Sequence, residues 1–235
     1  MTRILNAVKL DYLAGRFYLA LYPILFLVAL LIGTLVKMPV FTVILTIVLA
    51  VFIAGGVFST NERNHGEKLY GVLPLKRSDM VVGRYLYGLI LGVGGTLVAS
   101  FFGYLASWIS GANMGSFGPN RAPLTTDPTI ANLIFWAAVG FAFLYFCFAV
   151  AVAFPIYFRF GFSKSYVFTM LPLYLVVLAA LLITRKFDPT LNLSGTVQWF
   201  ADHMWTLPVI GVVGGLVLLA LSAVIAIRIY AHKEI

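Results

Sequence analysis

Six apolar runs, each long enough to cross a lipid bilayer, constrain this chain more than any other feature. A spanning helix needs about 20 predominantly apolar residues to cover roughly 30 Å of hydrocarbon. Residues 17–36, 40–58, 84–108, 130–154, 165–184 and 207–230 meet that requirement. Only helices and closed barrels satisfy their own backbone hydrogen bonds in lipid. Runs this long, without alternation between apolar and polar residues, exclude a barrel. The expected fold is all-α: a polytopic membrane protein of six transmembrane helices forming one domain over residues 1–235. Composition agrees, since 62% of the residues are hydrophobic and 10% charged, against about 25% charged in soluble domains. No cleaved leader is expected, because the first apolar run is too long for a signal core and no small-residue cleavage site follows it.

The flanks of these runs set the orientation. With the N-terminus in the cytoplasm, Arg3, Lys9, Arg16, Arg63, Lys68, Lys76, Arg77, Arg84, Arg159, Lys164, Arg228 and Lys233 lie inside. Lys37, Arg121, Arg185 and Lys186 lie outside. The bias favours both termini in the cytoplasm, and it accounts for the net charge of +8 without nucleic acid as a partner. Lys37, Met38 and Pro39 form a connection tight enough to make the first two spans a hairpin. Gly88 with Gly92, and Gly211 with Gly215, are spaced for close helix approach. Pro23 and Pro172 are expected to kink their spans, and Pro208 starts the last one.

The spans lack reactive chemistry. No Asp, Glu, Lys, Arg or His sits near the middle of any of them, where each would cost about 2.5–3.5 kcal/mol by insertion scales. That lowers the case for a proton-coupled carrier. His65, His203 and His232 lie outside the spans, which leaves no H-E-x-x-H zinc pair and no intramembrane base for a serine nucleophile. No phosphate-cradling G-x-x-x-x-G-K-[ST] occurs, so the chain is not expected to hydrolyse a nucleotide by that route, and no cofactor is expected in it. Cys147 has no partner within the chain for a disulfide.

The connection between spans two and three carries the most information. Residues 58–85 hold three of the eight acids and five of the sixteen bases, in alternation. Leu69, Val72 and Leu73 recur at helical spacing, with Glu62 and Gly66 over nearly the same face. Pro74 ends that helix, and Ser78 or Asp79 is expected to cap the third span. The pattern predicts a two-turn helix in the middle of this connection, with a small apolar ridge flanked by mixed charges. Such an element can insert into a groove on a partner; the alternative is a solvated loop with lipid-facing leucines.

This segment resembles the permease subunits of type-2 ATP-binding-cassette exporters, in which the loop after the second span opens with E-R-x-x-G-(T/E), continues through L-P-x-(S/K)-R and ends in (I/V)-x-x-(K/R)-Y. Glu62, Arg63, Gly66, Glu67, Leu73, Pro74, Arg77, Val81, Arg84 and Tyr85 carry the resemblance. It implies a transport subunit of the cell membrane that pairs with a second permease chain, identical or sister, and with separate ATPase subunits that bind ATP and magnesium. It also implies that 62–73 is a coupling helix docked on the ATPase. Leu69, Val72 and Leu73 would be the ridge, and Glu62, Glu67, Lys68 and Arg77 the rim. The connection 109–129, rich in Gly and Pro, is longer than the resemblance leads one to expect.

Two further segments fit a membrane boundary. Residues 3–16 group Ile4, Leu5, Val8 and Tyr12 as an interfacial helix, although Asp11 interrupts one side. Val197, Phe200, Ala201, Met204 and Trp205 follow helical spacing and predict an interfacial helix on the outer side. Two other functions remain compatible with six spans: a substrate-binding membrane subunit of a vitamin or metal importer, and a channel or scaffold without an energy source.

Overall fold

The computed structural model describes residues 2–64, 76–112, 114, 128–165, 167, 203 and 205–231. Among these residues are six helices: α1 Thr2–Val36, α2 Pro39–Arg63, α3 Arg77–Ser110, α4 Pro128–Phe160, the single turn α5 Phe162–Ser165, and α6 Thr206–Ala231. There is no strand among them. Five helices, α1 to α4 and α6, are long and apolar enough to cross a membrane. The expected span 165–184 lies outside the described residues apart from Ser165 and Val167.

The helices overrun the expected spans. At 1.5 Å per residue, α1, with its 35 residues, is about 52 Å long, well beyond the hydrocarbon thickness. Residues 3–16 are therefore no separate interfacial helix but the first turns of α1. Nothing between Thr2 and Gly33 interrupts helical hydrogen bonding except Pro23, which α1 contains. Its buried stripe is Ala7, Asp11, Gly15, Tyr22, Phe26, Ala29 and Gly33, while Leu5, Tyr12, Leu13 and Phe17 face outward. The side that Asp11 interrupts is thus the inward one.

α1 ends in a Schellman motif. Lys37 is left-handed at φ +55°, its N–H reaches Thr34 O at 3.2 Å, and the Met38 N–H reaches Gly33 O at 3.0 Å. Pro39 then occupies the first turn of α2, where its missing N–H costs nothing. α3 starts earlier than expected. Its N-cap is Lys76, extended and without a side-chain cap; Ser78 and Asp79 lie within the first turn, where the Asp79 carboxylate meets the positive end of the helix dipole.

α2 lies at the centre and packs against α1, α3, α4 and α5. Val43, Ile47, Ala50 and Ala54 on it are fully enclosed. Outward faces of α1, α3 and α6 expose Leu27, Leu31, Leu97, Phe101, Ile210 and Leu221, an apolar surface that calls for lipid rather than water.

Contacts fix the directions. α1 and α3 run parallel, with Ala7 against Gly83 and Phe26 against Phe102. α4 and α6 also run parallel: Gly140 meets Gly211, Cys147 meets Gly215, and Phe158 meets Tyr230. Phe160 and Thr206 consequently stand at opposite ends of the bundle, and the chain between them begins at one end and finishes at the other. The start of α1 and the finish of α6 share an end with the 64–76 connection and the turn after α4, hereafter the loop end. Lys37, Ser110 and Thr206 mark the opposite, or turn, end.

Candidate functional site

At the loop end α2 runs on past its apolar stretch through Ser59, Thr60, Asn61, Glu62 and Arg63, because no breaker occurs before Asn64, whose N–H closes the helix on Thr60 O at 3.0 Å. Glu62 and Arg63, expected as the start of a separate coupling helix, therefore form the last turn of α2. Both are exposed, as are Lys76 and Arg77 where the chain returns into α3. Gly66, Glu67, Lys68, Leu69, Val72, Leu73 and Pro74 lie outside the described residues.

The Glu62 side chain reaches across to a second connection. α4 closes at Gly161, whose N–H binds Tyr157 O at 3.0 Å and whose φ of +81° is a conformation that glycine adopts without strain. The reversal begins α5, and the Ser163 N–H donates to Glu62 Oε2 at 2.8 Å. Ser165 Oγ bonds the Gly161 carbonyl in the same turn. Partial burial pushes the Glu62 carboxyl up. Hydrogen bonds from Ser163 and Phe162, together with the Lys164 charge, outweigh that and hold it below its ordinary value. Glu62 thus ties the last turn of α2 to the turn after α4.

Beneath this contact lies a buried charge. Arg84, about two turns into α3, is 9% exposed and faces Asp11 of α1, which is 3% exposed, with Nε 3.6 Å from Oδ1. The guanidinium also lies over the Phe58 ring of α2 at 4.4 Å and the Phe158 ring of α4 at 5.3 Å. A buried cation is tolerable when a carboxylate and aromatic faces replace water. The next residue, Tyr85, packs on the Phe154 ring of α4 at 5.3 Å and reaches α6. Ser222 Oγ of α6 donates to Ala151 O of α4 at 2.7 Å. With its single proton committed there, it accepts from Tyr85 Oη at 2.6 Å. Arg84 and Tyr85 together touch every other long helix described.

Neither tie was an expectation of the sequence. Asp11 stood out as a blemish on an amphipathic pattern and Arg84 as a position in a loop motif. The usable signal was Asp11 itself, since a carboxylate on an otherwise apolar stripe requires a cation. At the turn end, Trp205 is exposed and its ring lies 5.8 Å from that of Trp136. The other members of the expected outer interfacial helix, Val197, Phe200 and Met204, lie outside the described residues.

A bundle of long, lipid-facing apolar helices defines a multi-pass α-helical membrane protein. Its chain belongs to the ABC-2 family of transporter proteins, whose family description matches residues 8–231. That match runs from within the first turns of α1 to the last residue of α6. It makes the protein a membrane transport component, and membership implies association with ATP-binding-cassette ATPase components. No curated protein matches the sequence.

Proposed function

We propose that this chain is the permease subunit of an exporter, working in the cell membrane as one of two permease chains driven by separate ATPase subunits. The loop end is its cytoplasmic face. Residues 62–73, with Leu69, Val72 and Leu73 as the ridge, are the coupling element. The observation that carries this reading is the tie from Glu62 to Ser163 at 2.8 Å: a force applied to the 64–76 connection passes through it into the turn after α4 as well as directly into α2 and α3. The charge distribution supports the orientation. Arg63, Lys76, Arg77, Arg159, Lys164 and Arg228 belong to the loop end and Lys37 to the turn end, the bias that retains a face in the cytoplasm. Parallel packing of α4 and α6 supports a further crossing between them, which brings the spans to six and both termini to the same side.

Docking through an apolar ridge makes a sharp test. A carboxylate placed on that ridge would be desolvated against the ATPase groove. Leu73→Asp is expected to reduce co-purification of the ATPase subunits more than tenfold, by roughly 1.4 kcal/mol or more of lost binding, while membrane insertion of the chain is unchanged. Co-purification at the wild-type level would overturn the assignment of the coupling element.

A further inference from the structure

The first turns of α1 are bound to the start of α3 along a straight seam. Ala7, Asp11 and Gly15 recur every four residues on α1, so they stack on one face. Each meets α3. A Cβ added to Gly83 would come within 2.7 Å of the Ala7 Cβ, and one added to Gly15 within 2.5 Å of the Tyr87 hydroxyl. Asp11 and Arg84 lie between these two close approaches. Small residues give the seam its closeness, but they would let α1 slide along α3. A charge pair shielded from water fixes the register.

Arg84 is also the place where this seam meets the rest of the loop end. Its guanidinium rests on Phe58, four residues before Glu62 on α2, and on Phe158, three residues before Gly161 on α4. Phe58 in turn contacts Phe154, Tyr157 and Phe158 at ring-centroid distances of 4.9, 5.1 and 5.2 Å. The ion pair therefore sits directly under the tie from Glu62 to Ser163.

We infer that Asp11 and Arg84 are positioning residues that lock the N-terminal turns of α1 to α3, so that α1 moves as one body with the coupling element. The driven loop end then includes α1, although α1 has no part in the 64–76 connection. This role rests on the proposed transport function for its driving force, whereas the lock itself is a property of the chain alone.

Paired spin labels test the two separately. Leu5 and Lys76 are exposed, and the native Cys147 is buried, so Leu5→Cys and Lys76→Cys take up label selectively. In the full chain reconstituted in lipid nanodiscs, the distance distribution between these labels is expected to be narrow. Asp11→Asn and Arg84→Gln each broaden it by on the order of twofold, because one buried charge loses its partner. Arg84→Lys keeps the charge but not the flat stacking surface and falls between wild type and Arg84→Gln. A distribution as narrow in Asp11→Asn and Arg84→Gln as in wild type overturns the lock. Should Asp11→Asn fail to insert, Arg84→Gln against Arg84→Lys decides alone.

In the assembly with the ATPase subunits, ATP and magnesium are expected to leave the distance between the labels unchanged in wild type and to alter it in Asp11→Asn. A wild-type distance that changes with ATP would overturn the claim that α1 moves with the coupling element. Failure of the transport reading has a different signature, since wild type then co-purifies with no ATPase subunits while the nanodisc result is left untouched.

Discussion

Glu62 shows how one side chain can serve two connections. Its carboxylate accepts from the Ser163 N–H, and the surrounding donors hold it below the ordinary carboxylate range. A carboxyl whose proton affinity is lowered by folding stabilises the fold above its unfolded value, and that contribution disappears as pH falls through the lowered one. Wild type should therefore exceed Glu62→Gln in thermal stability at neutral pH, and the gap should close on acidification below the usual carboxylate range. Melting curves of both proteins in detergent across that range check it, and a gap independent of pH would refute it. Ser222 presents the neutral counterpart, a hydroxyl that has given its proton to Ala151 O and can only accept from Tyr85. Its acceptor role follows from proton counting alone.

Among the elements, the two glycine pairs turn out to do different things. Gly211 and Gly215 bring α6 against the backbone and small side chains of α4: a Cβ on Gly211 would stand 2.5 Å from the Gly140 carbonyl oxygen, and one on Gly215 2.9 Å from Cys147 Sγ. Gly88 and Gly92 instead make room for rings, Phe154 and Phe146. Backbone cannot step aside, so Gly211→Val is expected to destabilise the protein by about 3 kcal/mol or more through overpacking. Gly94, with nothing within 4 Å of its added Cβ, is the control: Gly94→Ala should be neutral or stabilising by up to about 1 kcal/mol. Melting temperatures of the two variants decide, and equal effects would contradict the seam. The existence of these helices was legible because uninterrupted apolar runs admit no other structure in lipid. Their ends were not. Hydropathy stops where lipid stops, whereas helical hydrogen bonding continues through residues such as 2–16, 59–63 and 77–83 until a breaker or a left-handed residue intervenes. The loop end was legible as a motif but not as a mechanism. Asp11 and Arg84 lie far apart in sequence, and no local pattern pairs them, nor does one pair Tyr85 with Ser222 or Glu62 with Ser163.

For the molecule as a whole, the directions of the helices matter more than their number. Parallel α1 with α3 and parallel α4 with α6 place the first and last described turns at one end, together with the 64–76 connection. Orientation in the membrane then reduces to a single choice, which chemical labelling can settle. In intact cells a membrane-impermeant maleimide should modify Lys37→Cys and leave Lys76→Cys untouched; the reverse pattern would refute the proposed cytoplasmic loop end. The Schellman turn at Lys37 and Met38 carries one more implication, for biogenesis. Two residues reach at most about 7 Å, far less than a bilayer's thickness, so α1 cannot settle across the membrane while α2 waits on the side where the N-terminus remains. In the proposed orientation the two would enter as a pair, tip first, with the ammonium group of Lys37 at that tip, and the apolar surface of both flanking helices would offset the cost of carrying one positive charge across.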